Sequence, residues 1–115
     1  MVNLMYDSLN GMEVAVKLIN FRNSPIDSQM MKKEVIALSN LEHTNIVRLV
    51  DSFPDNNNQL VVIMEYLRGG ELYDYWHRFP NRIMPEKEVC EIMLQLAQGL
   101  EYCHSKKIIH RDIKF

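Results

Sequence analysis

A chain of 115 residues with 47% apolar side chains is long enough to bury a core and suits one domain or part of a larger one. A formal net charge of −2 gives no electrostatic reason to expect nucleic acid or an anionic membrane as a partner. No apolar run approaches the roughly 20 residues needed to cross a bilayer, and residues 1–7 lack the basic and apolar regions of a secretory leader. Cys90 and Cys103 fall in one helical pattern, which separates them by roughly 20 Å, beyond disulfide reach. The expectation is an intracellular, cytoplasmic, thiol-reduced chain.

Residues 2–7 precede Asn10-Gly11, a hairpin turn signal, and Val14, Val16 and Leu18 alternate with Ala15, Lys17 and Ile19. The period of two predicts a pair of antiparallel strands. Ser24-Pro25 reads as an N-cap followed by proline at the first helical position, and Met30, Glu34, Leu38 and Leu41 recur from there at helical spacing. The runs 46–50 and 60–64 flank the turn-rich stretch 54–58 and predict a second hairpin. Leu67-Arg68-Gly69-Gly70 breaks the pattern as a connector. A short helix is predicted over 71–79, and Pro85 opens a long one. Val89, Ile92, Met93, Leu96, Leu100 and Cys103 form its apolar stripe. Acidic residues near its start and Lys106 and Lys107 near its end suit the helix dipole.

Two charges sit where the pattern is otherwise apolar. Glu34 shares a helical stripe with Met30, Leu38 and Leu41, and Lys17 lies in a strand of Val, Ala, Leu and Ile. Periodicity leaves two readings open: both reach solvent by snorkelling, or they pair across the strand–helix interface. Two cysteines without ligand-like spacing argue against a protein-built zinc site.

The wider order of motifs is more specific. Val14-Ala15-Val16-Lys17, then Lys33-Glu34-Val35, then Met64-Glu65-Tyr66-Leu67 with Gly69-Gly70-Glu71-Leu72, then Gly99 to His104, and finally His110-Arg111-Asp112-Ile113-Lys114 resemble, in order, blocks of the protein kinase catalytic domain. The resemblance implies an α+β, kinase-like fold. Residues 1–64 would be an incomplete small lobe, 65–70 the hinge, and 71–115 the start of the large lobe up to the catalytic loop. It also implies ATP-dependent phosphorylation of serine or threonine in proteins, with ATP and Mg2+ as the cofactors. Lys17 would contact the α- and β-phosphates with Glu34 holding its ammonium, and Ala15 and Val2 would pack on the adenine. Met64 would be the gatekeeper, backbone groups of Glu65 and Leu67 would bind the adenine edge, and Glu71 would reach the ribose. Asp112 would accept the proton of the substrate hydroxyl, and Lys114 would neutralise charge on the transferred group. Lys114, two places after Asp112, matches the serine/threonine form of the loop.

By the same matching, the glycine-rich loop falls before Met1, and the metal-binding Asn and the D-F-G aspartate fall after Phe115. The expectation is that the chain alone, without protein ligands for magnesium, transfers no phosphate. The alternative reading is a noncatalytic kinase fragment that binds partners, or a partial gene model.

Overall fold

The alternating runs of the first half become strands in the computed structural model, which describes residues 2–7, 11–20, 25–57, 59–109 and 113 and, of residues 2, 25–28, 31 and 34, the backbone only. Strands β1 (Val2–Asp7), β2 (Met12–Asn20), β3 (Leu49–Pro54) and β4 (Gln59–Glu65) form one antiparallel sheet in the order β1-β2-β4-β3. Gly11 adopts φ +65° in the β1–β2 turn and donates its N–H to Asp7 O at 2.8 Å, a conformation that glycine reaches without a Cβ clash. The β3–β4 turn is organised by Asp55, whose Oδ1 accepts from the N–H groups of Asn57 and Gln59 at 2.8 and 2.9 Å.

The period of two decides where the core sits. Val14 and Val16 of β2 are buried with Val61 of β4, flanked by Met12, Val50 and Ile63. Ala15 and Lys17 alternate onto the opposite face, where β4 buries Leu60 and Val62. At about 1.5–3 kcal/mol per fully buried aliphatic side chain, these few residues hold the sheet's register.

Chain contacts divide the molecule into two units, Met1–Glu42 with Val47–Tyr66, and His43–Ile46 with Leu67–Phe115. In the first unit helix α1 (Pro25–Ser39) starts at the predicted proline and contacts β3. Its expected stripe is not a buried one: Met30 is 60% and Leu38 42% exposed, while the buried Leu41 lies past the helix end. The helix stops at Ser39, whose Oγ donates back to Ile36 O at 2.7 Å, a local bond that competes with helix continuation. The strand predicted from residue 46 starts at Leu49 instead. Ile46 is spent on a turn, its N–H donating to His43 O at 3.1 Å, and residues 43–46 belong to the second unit.

In that second unit, helix α2 (Leu72–Trp76) is shorter than the predicted 71–79. A turn of 3-10 helix (Pro80–Arg82) follows it, with Asn81 and Arg82 both left-handed, and Trp76 Nε1 donates to Arg82 O at 2.7 Å. Helix α3 (Glu86–Ser105) begins after Pro85 as predicted. It buries Gly99 and Cys103 against the 43–46 segment: a Cβ on Gly99 would meet Asn45 O at 3.3 Å, and the rings of His43 and Tyr102 lie 5.0 Å apart. Of the expected stripe, Ile92 and Leu100 are half-buried, whereas Val89, Met93 and Leu96 are exposed, Met93 by 53%.

The end of α3 is a Schellman motif. Lys107 N–H donates to His104 O and Ile108 N–H to Cys103 O, each at 2.9 Å, with Lys107 at φ +61°. A lysine there carries the left-handed penalty that glycine avoids. We therefore expect Lys107→Gly to raise stability by about 1 kcal/mol, read as a higher urea midpoint. Gly99→Leu should act in the opposite sense. Overfilling the contact with Asn45 costs about 1–3 kcal/mol, more than the roughly 1 kcal/mol of helix propensity that replacing glycine gains.

Candidate active site

Strand pairing assembles one half of the candidate site. In the ladder Ala15 pairs with Leu4 on one side and Met64 on the other, and Lys17 pairs with Val2 and Val62. Residues directly opposite each other in an antiparallel sheet share a face, with Cβ atoms about 4.5–5.5 Å apart. Ala15, Lys17 and Met64, three positions separated by up to 49 residues, thus lie on one face, two rungs of one ladder. The Lys17 side chain is exposed, and the backbone of Val2 runs beside it. The Glu34 side chain, and with it the expected pairing of Glu34 to Lys17, lies outside the described residues.

Glu65 closes β4 in a defined way. Its N–H donates to Arg48 O at 3.0 Å, and its carboxylate Oε1 accepts from Arg48 N–H at 2.8 Å. The side chain is thereby tied to the residue that precedes β3.

In the second unit, Leu67 O accepts from Gly70 N–H at 3.3 Å, closing a turn in which Gly70 takes φ +77°. Glu71 is the exposed N-cap of α2 and makes no side-chain capping bond there, so its carboxylate is not committed to the helix end. Its carbonyl accepts from Tyr75 N–H at 3.1 Å. Tyr75 in turn donates its Oη to Glu88 Oε1 of α3 at 2.5 Å. Asp112 and Lys114, the expected catalytic carboxylate and its cation, lie outside the described residues, as do His110 and Arg111.

Sequence reasoning did not single out the Tyr75–Glu88 link, nor the approach of Gly99 to Asn45. The second left a signal, an isolated glycine within a helical pattern; the first left none. Two concavities lie within the second unit. One of about 740 Å3 is lined by His43, Asn45, Glu101 and Tyr102 among others. An apolar one of about 260 Å3 lies among Leu72, Trp76, Met84, Val89, Ile92 and Met93. Neither includes a position expected to touch nucleotide. Among the described residues no three His, Cys, Asp or Glu side chains cluster as metal ligands. No described helix is long and apolar enough to cross a membrane.

The protein kinase domain model matches residues 1–115. The chain is 39% identical over 100 residues to human serine/threonine-protein kinase Nek5, covering 86% of this chain and 14% of that protein. It is 41% identical over 105 residues to human serine/threonine-protein kinase ULK1, covering 91% and 10%. It is 35% identical over 109 residues to CBL-interacting protein kinase 25 of rice, covering 90% and 21%. The chain thus spans at most about a fifth of the length of these relatives.

The Tyr75–Glu88 hydrogen bond holds the Tyr75 phenol above its ordinary value near 10, aided by partial burial and the negative charge of Glu88 and opposed by the Arg78 guanidinium. The neutral phenol is the form that the fold favours. Its contribution to stability is full below the unfolded value near 10 and fades as pH rises through the higher folded value. A ring-labelled NMR titration should show Tyr75 ionising at higher pH than the free amino acid, and Glu88→Ala should bring it back down.

Proposed function

The chain belongs to the protein kinase family, and on that premise we propose that it supplies the nucleotide-binding and hydroxyl-activating residues for ATP-dependent phosphorylation of serine or threonine in proteins. The observation that carries this reading is the shared face of Ala15, Lys17 and Met64: a small side chain, a cation and an apolar limit, side by side on a rigid sheet. Adenine would lie on Ala15 and Val2, stopped at its inner edge by Met64, with the Glu65 carbonyl and the Leu67 N–H meeting its hydrogen-bonding edge. The Lys17 ammonium would fix the α- and β-phosphates, and Glu34 would hold that ammonium. Glu71 would accept from the ribose hydroxyls.

Asp112 would accept the proton of the substrate hydroxyl as its oxygen bonds to the γ-phosphorus. The bond from that phosphorus to the β–γ bridging oxygen breaks, and ADP leaves. Lys114 would offset charge on the phosphoryl oxygens during transfer. Magnesium, bound with the nucleotide, supplies further neutralisation of phosphate charge. Such a reaction depends on positioning and electrostatics more than on a covalent nucleophile.

The test is a chimera in which residues 1–115 replace the matching segment of Nek5. It should transfer phosphate from Mg·ATP to a serine or threonine peptide. Lys17→Met and Asp112→Asn should each lower kcat by about 100-fold or more. A chimera that is active and indifferent to both substitutions would overturn the assignment.

A further inference from the structure

Helix α2 has five residues and none of them is buried. A helix this short does not persist on its own, because its nucleation cost exceeds what a single turn of hydrogen bonds returns. Its place must come from side-chain bonds to its surroundings. Trp76 Nε1 donates to Arg82 O in the turn that follows, at 2.7 Å. Towards α3, Leu72 and Trp76 line a concavity of about 260 Å3 with Val89, Ile92 and Met93, a gap that does not fix rotation. The directional link to α3 is the bond that Tyr75 Oη donates to Glu88 Oε1 at 2.5 Å, a bond to a charged acceptor.

That bond acts on one particular residue. Tyr75 N–H donates to Glu71 O at 3.1 Å, so Glu71 stands one helical turn before Tyr75 on the same side of α2. Fixing the rotation of α2 at Tyr75 fixes the direction in which the uncapped Glu71 carboxylate leaves the chain. The Tyr75 ring is itself held against Phe79, 5.3 Å away and edge-on, and under Arg78, 5.9 Å away. The hydroxyl is therefore aimed, and its removal leaves those ring contacts in place.

We infer that Tyr75 and Glu88 are positioning residues for the ribose subsite: their hydrogen bond orients α2 so that Glu71 presents its carboxylate to the 2′- and 3′-hydroxyls of a bound nucleotide. The inference rests on the assignment of Glu71 made under Proposed function and goes beyond it, since neither Tyr75 nor Glu88 touches nucleotide.

The test uses the full 115-residue chain and compares its affinity for ATP with that for 2′,3′-dideoxy-ATP, by displacement of a fluorescent adenine nucleotide. The wild type should prefer ATP, and Glu71→Ala should abolish the preference. Tyr75→Phe should lower affinity for ATP by about three- to tenfold, as expected for one lost hydrogen bond, and leave affinity for the dideoxy analogue unchanged. A variant that merely loosened the fold would weaken both ligands alike. Glu88→Gln, which keeps an accepting oxygen, should retain most of the preference, whereas Glu88→Ala should behave as Tyr75→Phe does.

Amide hydrogen exchange of residues 67–71, which needs no ligand, should quicken in Tyr75→Phe. Intact preference and unchanged exchange in Tyr75→Phe, with preference lost in Glu71→Ala, would overturn this inference and leave the Glu71 assignment standing. A wild type with no preference for ATP would overturn the Glu71 assignment, and the ribose role of Tyr75 with it. Exchange would then show on its own whether Tyr75 fastens α2.

Discussion

The candidate site depends on one constraint, the register of β2 between its two neighbours. A strand presents alternate residues to opposite faces, so a slip of one residue against β1 or β4 would exchange the two faces. Val14 and Val16, which anchor the buried cluster with Val61, would then leave it for the face that carries Leu60 and Val62, and Lys17 would turn into that cluster. Withdrawing two valines forfeits the packing of the cluster, and placing an ammonium among apolar side chains without a partner costs more still. Both penalties fall on the same wrong register. Packing on one face thereby determines where the Lys17 cation stands on the other.

How much of this was legible in the sequence follows from how local each cause is. β2 and β4 carry their period in consecutive residues, and α3 carries its start in Pro85 and its end in the dipole-matched lysines, so these elements appear close to where the pattern puts them. The start of β3 was misplaced because Ile46 and Val47 are β-branched and read as strand, while Ile46 in fact serves a turn against α3. That competition comes from tertiary structure, and a window of five residues cannot contain it. The apolar residues of α1 show the limit of spacing as a guide to burial. Helical spacing shows which residues share a side, but burial requires another element to cover them, and Met30 and Leu38 remain largely exposed.

The site itself divides along similar lines. The juxtaposition of Ala15, Lys17 and Met64 could be stated from motif order by resemblance, and pairing then brings the three together physically. Glu34, Asp112 and Lys114 were named from the same order; their side chains lie outside the described residues, and their roles stand on resemblance. What motif order could not supply was the link between Tyr75 and Glu88. They are 13 residues apart across a turn that includes two consecutive left-handed residues, Asn81 and Arg82. No periodicity extends through such a turn, because each left-handed residue redirects the chain by an angle that side-chain chemistry does not announce.

The two candidate half-sites are therefore built on different physical principles, and this bears on how each would respond to change. The sheet face that carries Ala15, Lys17 and Met64 is fixed by many weak contacts among aliphatic side chains and by two ladders of backbone hydrogen bonds. Losing any one of them is averaged over the rest. The Glu71 end of α2 has no buried residue of its own and hangs on a few directional contacts: Tyr75 to Glu88, Trp76 to Arg82, and the turn at Gly70. Local opening free energies track buried apolar contact, so the α2 end is the part expected to yield first. On the reading proposed above, the Lys17 cation stands on a sheet face that resists distortion, and the Glu71 carboxylate on a helix end that yields more readily.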